Sequence, residues 1–222
     1  MSTPSIGLEE FDRGWLEAIK QTPAALAIIA LGGLTRLGEH PAPLDRLARI
    51  LNRSPDQTIA LVRENTTARI EHGLIHWTDP YPGDRTRRTI HVGDREIAMS
   101  SGCAPDLFAF AAVLDVPFRV EDICATTKTP IHIDYIPHGY QRVDPPETVT
   151  LLLPVEQIKH VIGKTFEHVN THVCTHQPFF ASAEAAEPTL ATHPGSRVFT
   201  VEEMFERSWY TYLHDTLRPL IH

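Results

Sequence analysis

The chain has 222 residues and a mass of 24.9 kDa, enough for one large domain or two modest ones, each with a real core. Its composition, 42% hydrophobic and 22% charged, is that of a globular protein and excludes disorder as the main state. The net charge of −8 repels phosphate backbones unless a basic patch is segregated, and three cysteines cannot make a fully paired disulfide framework.

The first residues carry early acids and no apolar run, unlike a secretion signal. The longest apolar stretch, residues 23–34, falls short of the roughly 20 residues a membrane span needs. The expectation is a soluble, cytoplasmic protein with reduced thiols and no membrane partner. Leu8, Phe11, Trp15, Leu16 and Ile19 recur at helical spacing and predict an amphipathic helix over 8–19. Residues 24–37 are apolar almost all round and predict a buried helix, ended by Pro41-Ala42-Pro43. A short helix follows through Leu44, Leu47, Ile50 and Leu51. Ser54-Pro55-Asp56-Gln57 then starts another, with Ser54 as cap, Pro55 at the first helical position and Gln57 closing a capping box. A further short helix is expected at Ala68 and Ile70, stopped by Gly73 before an extended run over 74–77. This order predicts a winged-helix-like module over 1–83, with its boundary in Asp79-Pro80-Tyr81-Pro82-Gly83.

DNA binding through such a module needs basic residues on its second helix. Between Ser54 and Asn65 only Arg63 is basic, and residues 1–80 hold eight Lys and Arg against ten Asp and Glu. Arg85, Arg87 and Arg88 could serve a wing on phosphates, and a solvated loop explains them just as well; with acids in excess over the module, no nucleic-acid partner is expected and the module serves structure or covers a substrate.

Residues 84–222 change pattern. Arg88–Val92 and Arg95–Met99 flank Gly93-Asp94 as a hairpin. Residues 106–114 form a buried helix that begins just after Cys103. Strands are expected over 129–136 and 148–153, a helix over 155–162, an extended run over 172–180 and a helical connection over 182–191. Thr200 and Glu203 make a second capping box, opening a helix over 201–213. Helices followed by mixed strands and helices predict an α+β fold with an antiparallel core.

Cys103 stands where a strand hands over to a helix, and the positive end of the helix dipole favours its thiolate. Asp106 falls in the first turn and can point back at it, making a pair that holds a soft electrophile and relays a proton. The same spacing fits a buried cysteine beside an ordinary first-turn acid. On a strand, His172, Cys174 and His176 would share one face, so Cys174 and His176 could ligate a metal; solvated histidines on a half-buried strand fit equally. His168 and His172 would serve a metal only on a helix, and Cys124 reads as a packed core thiol.

Cys103-Ala104-Pro105-Asp106, then Cys124-Ala125-Thr126-Thr127, then Cys174-Thr175-His176 followed by Phe179-Phe180-Ala181-Ser182, resembles the organomercurial (alkylmercury) lyase family. The resemblance covers nearly the whole chain, most convincingly 44–213, and extends to a winged-helix-like opening. It implies that Cys103 and Cys174 are mercury-binding thiolates, that Asp106 is the acid and that Cys124 is structural. The implied reaction is protonolysis of a small organomercurial to a hydrocarbon and Hg(II). Free thiols or a mercuric reductase would then remove the ion, and no organic cofactor is implied. Thiolate is the soft ligand a protein offers a very soft ion, which agrees with the residues. Four departures stand out: Gly102 where the family often has an aromatic residue, Pro105 inside the motif, Thr175 where a second cysteine is frequent, and His172 beside Cys174. They leave open a family member with another substrate, a first-row metal at Cys174 and His176, or a non-catalytic metal-binding regulator.

Overall fold

The computed structural model describes residues 7–77, 88–99, 102–114, 116–161 and 164–217. Helix α1 (Leu8–Lys20) buries Phe11 and Ile19, and its Trp15 indole donates to the Leu153 carbonyl at 2.9 Å. Helix α2 (Pro23–Arg36) is apolar on every side, as predicted, because it sinks into the core through Ala30, Leu31 and Leu34. Gly32 is required there: a Cβ would stand 2.5 Å from the ring of Phe110 on helix α5 (Ala104–Leu114).

Strand β1 (Ala42–Pro43) leads into α3 (Leu44–Ile50) and α4 (Pro55–Asn65). The Ser54 capping box forms as predicted, with Ser54 Oγ accepting the Gln57 N–H and Gln57 Oε1 accepting the Ser54 N–H. The short helix expected at Ala68 and Ile70 is instead a hairpin of β2 (Arg69–Glu71) and β3 (Leu74–His76). His72 and Gly73 both have positive φ, 52° and 77°, which suits a two-residue hairpin turn and pairs Ile70 with Ile75. β1 joins the other side of β3, giving the order β1-β3-β2.

The main sheet is antiparallel, in the order β5-β4-β6-β7-β8. It contains the predicted hairpin β4 (Arg88–Val92) and β5 (Arg95–Met99), then β6 (Phe118–Ile123), β7 (Pro130–Ile136) and β8 (Gly139–Asp144). β6 and β8 are additions to the predicted strands. Alternation turns Arg88, Ile90 and Val92 of β4 and Phe118, Val120 and Asp122 of β6 inward. Helix α5 is buried along its length except at Asp106, and Phe108 meets Tyr135 of β7 edge-on at 5.4 Å.

Strand β9 (Val149–Leu152) is central to a second antiparallel sheet, β10-β9-β11, with β10 at Phe179–Phe180 and β11 at Arg197–Thr200. Between them run α6 (Val155–Ile158), shorter than the predicted 155–162, α7 (Phe166–His172) and α8 (Ala183–Thr192). The extended run expected over 172–180 does not form. Thr165 caps α7 by accepting the His168 N–H, the helix carries through His172, and Cys174–His176 winds as a 3₁₀ turn. Only Phe179 and Phe180 are extended, because they pair with β9.

The predicted C-terminal helix is broken in two, α9 (Val201–Phe205) and α10 (Ser208–Leu217). Its Thr200 capping box is present, but Asp12 of α1 accepts the Ser208 N–H at 3.0 and 3.3 Å and starts a new helix there. One apolar core runs through these layers from Phe11 to Leu217. The fold is α+β. The boundary expected at 79–83, and Arg85 and Arg87, lie outside the described residues; Arg88 is a buried strand residue rather than part of a solvated loop. No single described helix is long and apolar enough to cross a membrane.

Candidate active site

Cys103 immediately precedes α5, and its backbone N–H donates to Asp106 Oδ2 at 2.6 Å. The first helical turn thus folds the carboxylate back over the cysteine, as the spacing predicted. Cys174 opens the 3₁₀ turn, and its thiol donates to the same Asp106 Oδ2 at 3.8 Å. The two sulfurs and an Asp106 oxygen lie within 4.8 Å of one another, the one such cluster of potential metal ligands among the described residues. His176 stands outside it: its ring packs on His193 at 4.9 Å, because the 3₁₀ turn replaces the strand face that would have gathered it with Cys174. His168 and His172 are exposed on α7 with ring centroids 4.2 Å apart.

Both thiols are buried, 4% exposed at Cys103 and 6% at Cys174. Burial pushes the Cys103 thiol well above its ordinary range, and the neighbouring Cys174 and Asp106 add to this. The helix dipole was expected to favour its thiolate, and loss of solvent outweighs that effect. At Cys174 a hydrogen bond from the Cys103 thiol favours the thiolate, but burial and the Asp106 carboxylate prevail and its pKa is also raised. Cys124 lies apart, fully buried, accepting the Ala181 N–H at 3.3 Å and meeting Thr126 Oγ1 at 3.5 Å. Burial opposes its ionisation, but hydrogen bonds from Thr126, Thr127 and Ala181 bring its pKa down to about 6.

The cluster opens on a cavity of about 110 Å³ walled by Trp15 of α1, Ile28 and Ile29 of α2, Trp209 of α10, and Val173, which follows α7. Four supporting residues had no sequence signal. Arg88 pairs with Asp122 at 2.8 Å, both buried, and donates to the Cys103 carbonyl at 3.0 Å, tying β4 and β6 to the start of α5. Asn170 Oδ1 accepts the Gly102 N–H at 2.7 Å, and Gln177 Nε2 donates to Cys103 Sγ at 3.7 Å. These contacts join residues 68 and 74 positions apart, so only the folded chain reveals them.

Two buried thiols around one carboxyl group, lining a mostly apolar cavity, form a donor set of the kind that suits a soft metal ion. Residues 85–211 match the family model for MerB, alkylmercury lyase, and the chain belongs to the alkylmercury lyase family. An alkylmercury lyase of Bacillus cereus is 30% identical over 104 residues, 47% of this chain and 44% of that protein. One of Pseudomonas putida is 31% identical over 120 residues, 54% and 53%, and one of Streptomyces lividans 25% over 168, 75% and 73%. The chain thus spans about half the length of the first two relatives. The crystal structure of the mercury-bound form of MerB2 matches with a TM-score of 0.58 at 16% identity, over 96% of this chain and all of that one, a likeness of fold.

Proposed function

We propose that the protein cleaves carbon–mercury bonds by protonolysis, releasing a hydrocarbon and leaving Hg(II) on Cys103 and Cys174. The carrying observation is that both sulfurs and an Asp106 oxygen lie within 4.8 Å of one another. Each thiol exchanges its proton for a mercury–sulfur bond, so two protons leave as two such bonds form. One passes to Asp106, whose Oδ2 already accepts from the Cys174 thiol, and from there to the carbon. That carbon takes the electron pair of the breaking carbon–mercury bond. The other proton leaves with the ligand that the organomercurial brought. The apolar wall suits the organic group and excludes water from it. Free thiols or a mercuric reductase then take the ion, which makes the reaction a detoxifying step in the cytoplasm; no organic cofactor takes part.

The same reading makes residues 1–83 a covering module rather than a DNA-binding one. Trp15, Ile19, Ala25, Ile28 and Ile29 support this, since they line the cavity. Asp106→Asn tests the mechanism. Mercury is expected to bind with unchanged stoichiometry, because two thiolates satisfy it, while hydrocarbon release measured by headspace gas chromatography falls about 10²-fold or more. Normal turnover in this variant, or tight binding without cleavage by the wild type, would overturn the proposal.

A further inference from the structure

We propose that His168 and His172 form a second metal site, a two-imidazole clamp on α7 for a first-row divalent cation such as Ni(II), Cu(II) or Zn(II). In the sequence this pair could serve a metal only on a helix, and the helix forms: Thr165 caps α7, which runs from Phe166 to His172. Four residues make just over one helical turn, so the two side chains stand one above the other on the same face. Their ring centroids lie 4.2 Å apart, with 44° between the planes. Metal–nitrogen bonds of about 2.0–2.1 Å at a roughly tetrahedral angle set two ligating nitrogens about 3.4 Å apart, a spacing that rings this close reach by small side-chain rotations.

The clamp stands apart from the thiol cluster and does not depend on carbon–mercury cleavage. Phe166 and Asn170 occupy the opposite, buried face of α7, where Asn170 accepts the Gly102 N–H at 2.7 Å. His168 and His172 are both exposed, so an ion reaches them from solvent and water completes its coordination. Imidazole suits nickel, copper and zinc, whereas the Cys103 and Cys174 thiols suit softer ions. Among the described residues no third histidine, cysteine or carboxylate joins the pair within 4.8 Å, which makes this an exchangeable site rather than a structural one. The other close histidine pairs are less apt. His176 closes a 3₁₀ turn and His193 follows α8, with 66° between their rings. His214 packs on His138, but its Nδ1 already meets Asp215 Oδ1 at 3.0 Å.

Isothermal titration calorimetry with Ni(II), on the full chain freed of any histidine tag, tests the clamp. Wild type is expected to take up the ion, and His168→Ala to weaken that uptake at least about tenfold, since losing even an outer partner of a metal ligand commonly costs about 10–100-fold in affinity. His193→Ala, which breaks the neighbouring imidazole pair, is expected to bind as wild type does. Cys174→Ser is expected to keep the binding event that His168→Ala weakens. Circular dichroism checks the fold of each variant, and His168→Gln carries the same expectation should the alanine variant unfold. Full affinity in the folded His168 variant, loss of that event in folded His193→Ala or Cys174→Ser, or no uptake of Ni(II) by wild type would overturn the inference.

Discussion

Replacing Gly102 with alanine is expected to damage the site through two separable effects. Gly102 holds φ at +90°, where a residue with a Cβ is strained by about 1–3 kcal/mol. The added Cβ would stand 2.4 Å from Met99 Cε and 2.9 Å from Asp106 Oδ2. The methionine end is flexible and can swing away. The carboxylate is not free to do so, because that same oxygen accepts the Cys103 N–H at 2.6 Å and the Cys174 thiol at 3.8 Å. Reaching ordinary contact near 3.4 Å moves it by about 0.5 Å, and misplacement of about 1 Å can cost roughly 10²-fold in rate. We therefore expect Gly102→Ala to lose about 1–3 kcal/mol in urea unfolding and about tenfold in hydrocarbon release at a temperature well below its melt. Stability and turnover both within error of wild type would refute the assigned strain and the assigned role of the oxygen.

Two further outcomes follow from the thiols. Cys103 and Cys174 both have pKa values raised above the ordinary 9.0, so both carry protons at pH 7; loading the protein with Hg(II) in weak buffer is expected to release two protons per ion, and release near zero would show thiolates already formed. Cys124→Ala leaves the Ala181 N–H without its sulfur acceptor and is expected to cost about 1–3 kcal/mol in chemical denaturation, with turnover per folded molecule unchanged; lost activity at full stability would contradict its structural role.

The signals that proved legible were local. Ser54 with Gln57 and Thr200 with Glu203 form the capping boxes their spacing announces, and Gly93-Asp94 turns the hairpin of β4 and β5. Cys103 and Asp106 meet because three residues span one helical turn. Misreadings came where short segments serve two patterns. Residues 172–180 are rich in β-branched and aromatic side chains, but Thr165 capping α7 was the stronger signal and carried the helix to His172. At Ala68 and Ile70 the His72-Gly73 turn, rather than helical spacing, decided the structure. Arg88, Asp122, Asn170 and Gln177 act across the fold, and no spacing in the chain announces them.

The reach of the cavity wall along the chain bears on how the protein acquires its site. Trp15 bonds to Leu153 across 138 positions, and Asp12 starts α10 across 196. A chain emerging from the ribosome therefore holds Cys103 and Cys174 well before Trp209 arrives to close the wall over them. Closing contacts of such long range come late, after their loop entropy has been overcome. Until then the thiols are solvated, ionise more readily and can take any soft cation. Under the proposed function, a mercuric ion would bind unfolded and native chains alike, which would cut the stability that loading can confer. Under that same function, selectivity for a carbon-bound metal would belong to the finished enclosure alone, and a newly made or partly unfolded copy would hold mercury without turning it over.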